Sequence, residues 1–252
     1  MKVILLGNGT LGKYLSSYFS QINQIKIFSL KNTELIYLKK YIKNLSSKVF
    51  IIDLMDPNHI NNETNHELIY KAKNIRKLFC ETSLIKQYIY ISSSNIYEKS
   101  KEVIYEDGKI ISYGLSDYLD LKLSTESLLQ NYDIPLTLCR VPNVWGHPAN
   151  NSFFSDLIKI HQQKSNINYR NNDNELISYI HIKDLSKLLK EVLNLKIHGI
   201  VNISTDSYNS RLNLKALLNN DNLIPTKDIL GIRLASKKLF WSKFIKKTRL
   251  PF

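Results

Sequence analysis

Cysteine is nearly absent from this chain of 252 residues, which carries only Cys80 and Cys139. Two cysteines in apolar surroundings cannot staple a disulfide scaffold, so buried free thiols in a reducing compartment are expected. Long apolar runs are missing too. No uninterrupted stretch approaches the ~18 residues that a membrane-spanning helix requires, so no transmembrane segment is expected. The first strand follows almost directly on Met1, without a charged leader or cleavage site, and a cytoplasmic protein is expected. Acidic charge is scarce, with 22 Asp plus Glu against 35 Lys plus Arg and a formal net charge of +13. Such a balance draws anions, whether nucleic acid, an anionic membrane face or a phosphorylated small molecule. The lysines are spread without a long block, and no nucleic-acid-binding motif accompanies them, so no nucleic-acid partner is expected. Zinc-ligand clusters, internal repeats, low-complexity linkers and Walker-type loops are also lacking. With 43% hydrophobic residues and 6 prolines, the chain has enough to bury one large domain, or a nucleotide-binding domain with a small appendage.

What is present begins at residue 2. Lys2 to Leu6 is a nearly continuous apolar run of the kind a parallel sheet buries on both faces. Gly7-Asn8-Gly9-Thr10-Leu11-Gly12 follows. Then Leu11, Tyr14, Leu15, Tyr18, Phe19 and Ile22 recur at helical spacing before a second strand, Ile25 to Phe28. A G-x-G-x-x-G run between strand and helix points to a dinucleotide site. Gly7 serves the tight turn, Gly9 the approach of the pyrophosphate and Gly12 the packing of helix on strand, while the helix N-terminus, with Asn8, Thr10 and Leu11, meets the phosphate charge. A strand-to-helix turn without a ligand has the same local form. Phe28-Ser29-Leu30-Lys31-Asn32 offers no carboxylate for a ribose 2′-hydroxyl, whereas Ser29 and Lys31 suit a 2′-phosphate. NADP(H) is therefore favoured over NAD(H). Val49 to Asp53 reads as a further buried strand, and Asp53 and Leu54, followed by Met55 and Asp56, are expected to face the cofactor.

Residues 65 to 86 read as a long amphipathic helix through Leu68, Ile69, Ala72, Ile75 and Phe79. It leads to Tyr88–Ile91, a short apolar strand ending in the hydroxyls of Ser92, Ser93 and Ser94. After a polar loop, Glu98 to Asp117, the residues Tyr118, Lys122 and Glu126 share one helical face. A lysine one turn beyond a tyrosine favours the phenolate and draws a pKa of ~10 towards the operating pH. Such a tyrosine can donate or accept a proton, and a serine on the neighbouring strand can bond the same substrate oxygen. In a chain with 15 tyrosines and excess lysine, the spacing alone equally suits an amphipathic surface tyrosine and a solvated lysine.

Taken together, these stretches resemble the extended short-chain dehydrogenase/reductase family, the NAD-dependent epimerase/dehydratase-like enzymes that act mostly on nucleotide sugars. The resemblance runs over most of the chain. Tyr88–Tyr97 is similar to the family's hydroxyl-ended strand with a tyrosine four residues beyond the catalytic Ser/Thr, and Tyr118-Leu-Asp-Leu-Lys122 to its Tyr-x-x-x-Lys. This implies Ser93 as the catalytic hydroxyl and Ser94 as a helper. It also implies Tyr118 as acid/base and Lys122 as the residue that depresses its pKa and contacts the cofactor ribose. Leu54 and Met55 stand where the family usually has small residues beside the cofactor. Family members that dehydrate the sugar place Asp-Glu directly after the catalytic Ser/Thr; Ser94-Asn95 stands there instead, so 4,6-dehydration is disfavoured and both residues are assigned to the substrate. Arg140-Val-Pro-Asn143-Val-Trp145-Gly146 resembles the family's cleft-lining segment, implying Asn143 as a substrate or backbone clamp and Trp145 as a wall. Arg170 and Arg211 have the fork that matches a pyrophosphate.

The expected fold is α/β, a Rossmann-type parallel sheet with helices on both faces over residues 1–145. A smaller C-terminal substrate lobe spans 146–252, with helix 184–195 returning to the first domain. The expected reaction is reduction of a keto group, at C4, of a nucleotide-linked sugar, in surface polysaccharide or deoxysugar biosynthesis. Alternatives are a nucleotide-sugar 4-epimerase with bound NAD and a non-catalytic dinucleotide-binding regulatory protein. The expected partner is the small-molecule nucleotide sugar, with a homodimer left open. Loop 98–117, between serine and tyrosine, is a candidate substrate lid.

Overall fold

The computed structural model describes residues 2–21, 24–30, 35–56, 63–146, 175–210, 213–214, 232–243 and 245. The chain divides into two compact units: residues 1–96 with 112–139 and 195–200, and residues 97–111 with 140–194 and 201–252.

The first unit is built on a six-stranded sheet. Its strands are β1 (Lys2–Leu6), β2 (Gln24–Phe28), β3 (Val49–Asp53), β4 (Ile85–Ser93), β6 (Leu136–Val141) and β9 (Gly199–Asn202), in the spatial order β2-β1-β3-β4-β6-β9. The chain passes to the second unit within β6 and β9. Strand β1 pairs in parallel with β2 on one side and β3 on the other, and β3 pairs in parallel with β4. The connections therefore reverse direction at the carboxyl ends of β1 and β3, the crevice where an open α/β sheet binds ligands.

Alternation along the strands sorts the helices. Ile4, Leu6, Ile51, Tyr88 and Tyr90 form one core with Leu38 of α2 (Leu35–Lys43) and with Ala72, Ile75 and Phe79 of α3 (Glu63–Cys80). Each large apolar side chain buried there is worth ~1.5–3 kcal/mol. Leu5 points the other way, and the bare Cα of Gly12 on α1 (Thr10–Ser20) packs near it, so α1 covers the opposite face. Helix α4 (Asp117–Gln130) opens on Ser116, whose hydroxyl accepts the Leu119 N–H, with Asp117 and Asp120 in a first turn that favours negative charge.

Two expectations are corrected. The helix read over 65–86 stops at Cys80; Thr82 Oγ1 accepts the Leu84 N–H, and the strand begins at Ile85, paired with Val49. Pairing with a buried strand outweighs the helical spacing of an apolar run there. The stretch 98–117, read as a loop throughout, carries β5 (Val103–Ile104), which pairs in parallel with β11 (Arg233–Leu234) of the C-terminal stretch.

The second unit also holds a three-stranded sheet. Strand β8 (Leu176–His181) lies between β10 (Tyr208–Ser210), antiparallel, and β7 (Asn143–Trp145), parallel. Helix α5 (Ile182–Leu195) buries Leu185, Leu188, Leu189, Val192 and Leu193, and His181 Nδ1 accepts the Lys183 N–H at its start. Among the described residues, no helix is long and apolar enough to cross a membrane.

Candidate functional site

The glycine turn lies at the reversal of the sheet. The Gly7 N–H donates to Phe28 O and the Leu54 N–H to Leu6 O, each at 2.8 Å, tying the ends of β1, β2 and β3 together. Gly7 has φ +110°, and a Cβ there would meet the Leu54 carbonyl at 2.9 Å. A Cβ on Gly12 would stand 2.3 Å from Gly7 O, so helix and turn can close only on glycine. Gly9 differs: a Cβ there would meet nothing within 4 Å. Gly9 also precedes α1 without any side-chain cap, and Asn8, Gly9 and Thr10 are exposed while Leu11 is half-buried. Open space over uncapped helical N–H groups is a cradle that fits a pyrophosphate. Ser29 is half-buried at the end of β2, and Lys31 lies outside the described residues.

Strand β4 and helix α4 supply the second part. Ser93 is 7% exposed, and its Oγ accepts the Asn95 N–H at 3.2 Å, leaving the hydroxyl proton to give. Ser94 is buried beside it in a short 3-10 turn, with a hydroxyl that bonds no group among the described residues; Asn95 is exposed. On α4, Tyr118 is half-buried and Lys122 buried, with the Lys122 ammonium 5.4 Å from the centre of the Tyr118 ring. Glu126, one turn on, is also buried.

The structure adds Arg76 and Tyr90, to which sequence reasoning gave no role, and draws Asp56, expected to face the cofactor, into a buried ion cluster. Lys122 Nζ donates to Asp56 Oδ2 and to Ile91 O, both at 2.7 Å, and sits 5.0 Å over the Tyr90 ring. Asp56 in turn accepts Arg76 Nη2 at 2.6 Å and the Tyr90 hydroxyl. Arg76 also bonds both oxygens of Asp53, at 2.7 and 3.3 Å, and Asp53 further accepts the Tyr88 hydroxyl and the Met55 N–H. Asp53, Arg76 and Lys122 are all under a tenth exposed, and the Asp56 side chain is 1% exposed. Asp53, expected at the cofactor, thus spends its oxygens on protein donors inside the core, and Met55 is buried with it. Leu54 alone of that trio abuts the glycine turn, through its backbone.

Charge accounts for the protonation states. Burial alone would push the Asp56 carboxyl up, but the charges of Lys122 and Arg76 and their hydrogen bonds hold it well below the usual carboxylate range. Burial pulls Lys122 down, while Asp56 first and Tyr118 second restore it, leaving its pKa above the ordinary lysine value. Tyr88 and Tyr90 are pushed up by burial and by the carboxylates they face, so both stay neutral donors. Two signals for this set were in the sequence. Arg76 continues the inward Ala72-Arg76-Cys80 row of α3, where a charge demands a partner, and Asp56 follows the apolar pair Leu54-Met55 just beyond β3.

The residues assigned to substrate divide. In the second unit, Asn143 Nδ2 donates to Ser178 O at 3.0 Å. Trp145 is buried edge-on to His181, ring centres 4.5 Å apart, and Gly146 (φ +103°) lets that histidine come close, since a Cβ would stand 2.6 Å from Nε2. Arg170 and Arg211 lie outside the described residues.

A model of the NAD dependent epimerase/dehydratase family matches residues 63–204, more than half of the chain. The chain belongs to that family, of the extended short-chain dehydrogenase/reductase type. No curated protein matches it in sequence. Solved structures are similar in fold. UDP-glucuronic acid 4-epimerase from Bacillus cereus, in complex with NAD, aligns with a TM-score of 0.74 at 16% identity over 99% of this chain and 92% of that one. The Bordetella bronchiseptica enzyme WbmG, in complex with NAD and UDP, gives 0.74 at 14% identity over 99% and 89%. Human epimerase family protein SDR39U1, with NADPH, gives 0.73 at 16% identity over 100% and 96%.

Proposed function

We propose that this protein is a nucleotide-sugar epimerase that inverts a carbinol carbon, C4, of a nucleotide-linked hexose with a bound nicotinamide dinucleotide. The observation that carries the reading is the stacking of the Lys122 ammonium against the Tyr118 ring on the helix facing β4, the strand that ends in Ser93. Family membership and the epimerases among similar structures support inversion over the net keto reduction that the sequence put first. When bound, the dinucleotide supplies reversible hydride acceptance at the sugar carbon. Tyr118 takes the hydroxyl proton as that carbon is oxidised and returns it when the carbonyl is reduced. Ser93 donates to the same oxygen, Ser94 and Asn95 stand beside it, and Lys122 keeps positive charge next to the phenol. Gly7, Gly9 and Gly12, with the N–H groups of Thr10 and Leu11, hold the pyrophosphate. Ser29 without a carboxylate at the end of β2 favours the 2′-phosphorylated dinucleotide.

The test combines extraction of bound nucleotide with a substrate panel of UDP-glucose, UDP-glucuronic acid and a 4-keto nucleotide sugar. Interconversion of two hydroxylated sugars without net cofactor oxidation supports the epimerase. One-for-one consumption of NADPH with the keto sugar would instead establish a reductase. Tyr118→Phe should lower turnover by ~10²-fold or more with little change in cofactor binding; full activity in that variant would overturn the assignment.

A further inference from the structure

We propose that Asp56 is a positioning residue of this active site, pinning the Lys122 ammonium against Tyr118; the inference rests on the function proposed above for Tyr118 and Lys122. Four buried charges meet here, two carboxylates and two cations. Arg76 already has a forked partner in Asp53, whose remaining bonds come from Tyr88 and the Met55 N–H. The second carboxylate is therefore the one that balances Lys122. Asp56 Oδ2 and the Ile91 carbonyl fix Nζ from two directions at 2.7 Å each, and the rings of Tyr90 and Tyr118 wall it at 5.0 and 5.4 Å. Two of the three ammonium protons are spent on this frame, which leaves one to point at a ligand or at the phenol.

The groups facing Asp56 are Arg76 from α3, Tyr90 from β4 and Lys122 from α4; those facing Lys122 are Asp56, Tyr118, the Tyr90 ring, the Ile91 carbonyl and, more remotely, Arg76. Removing the Asp56 charge leaves burial as the main influence on Lys122, and burial favours the neutral amine. Asp56→Asn keeps the shape and tests this.

The experiment follows Lys122 Nζ by NMR across pH in the wild-type protein and in Asp56→Asn, with Lys122→Met assigning the signal. The wild-type ammonium should persist beyond the ordinary lysine range, and the variant should lose its proton ~2 or more pH units lower. Turnover of the variant should then fall on the alkaline side at correspondingly lower pH, with kcat changed more than KM. A folded Asp56→Asn protein whose Lys122 titrates as in the wild type overturns the proposal. Should Asp56→Asn fail to fold, the charge-balanced pair Asp56→Asn with Lys122→Met decides. Recovery of folding supports the role of Asp56 as the partner of Lys122, whereas a pair no more stable than Asp56→Asn assigns Asp56 to Arg76 and the fold alone. The NMR and rescue results hold whether or not a sugar is turned over, so failure of the epimerase reading and failure of this inference are told apart.

Discussion

Within each unit the described side chains arrange their polar bonds differently. In the first, four buried charges form a balanced set at the carboxyl edge of its sheet, where Asp53, Arg76, Asp56 and Lys122 neutralise one another. The second buries Arg140, Asp184 and Arg233 as well, and is fastened by polar side chains that bridge backbone far apart in sequence: Glu106 accepts the Asn202 and Lys237 N–H groups. Ser178 Oγ donates to Ile232 O and accepts the Leu234 N–H, both at 2.8 Å. Asn202 Nδ2 donates to Ala235 O and Ile104 O, and its Oδ1 accepts the Tyr97 hydroxyl. Its Lys99–Glu175 and Lys237–Asp107 ion pairs stand at the surface. Buried charge is costly unless paired, so a cluster of four mutually neutralising charges beside Tyr118 is a place where charge can serve chemistry, whereas the side-chain bonds of the second unit tie backbone to backbone.

That contrast can be broken at several points. Arg76→Met should cost the most, ~3–5 kcal/mol by denaturant unfolding, because it takes the shared cation from two buried carboxylates and leaves Lys122 alone to balance them among the described residues. A loss under 1 kcal/mol would mean the charges of the first unit are not interdependent. Ser178→Ala should cost ~1–3 kcal/mol, since it orphans a buried N–H and a buried carbonyl at once, and hydrogen exchange at Leu234 should quicken with it. Gly9→Val should leave stability nearly unchanged, because its Cβ meets open space, while dinucleotide affinity falls ~10-fold or more by titration. Unchanged affinity would remove the cofactor from that turn. Lys99→Met at the exposed pair should cost no more than ~1 kcal/mol, and less in high salt.

The same difference sets a pH dependence. The folded-state pKa of Asp56 is depressed, so its contribution is fully present above the unfolded value of ~3.9 and is lost as pH falls below it towards the folded value. The folded-state pKa of Lys122 is raised, so its contribution is present below the unfolded ~10.4 and is lost as pH rises through the folded value. Unfolding free energy should therefore be flat in these groups between about pH 5 and 9 and fall on either side. Asp56→Asn together with Lys122→Met should remove most of both slopes, as measured by thermal unfolding across pH.

How much of this was legible depended on whether a residue's partner is near in sequence. Gly7, Gly9 and Gly12 are confined to one turn, and Tyr118 and Lys122 to one helical turn, so spacing alone sets their mutual geometry. The strands β1, β3 and β4 announce themselves as apolar runs because both faces are buried. The hydroxyl row Ser92–Ser94 was legible for the same local reason. What no spacing contains is pairing across long separations. Asp56 finds Lys122 66 residues on, and Val103–Ile104 finds Arg233–Leu234 at a distance of 130. Asp53 belongs with these. From sequence it stands at the end of a strand facing a ligand, and only the arrival of Arg76 and Tyr88 from other elements turns its carboxylate inward. The sequence by itself determined the parallel sheet, the glycine turn and the tyrosine–lysine pair, since each is a local pattern of size, polarity and period. The tertiary structure decided which buried charges answer one another, because a desolvated ion takes whatever opposite charge the fold brings within reach, and that neighbour is chosen by packing rather than by order along the chain.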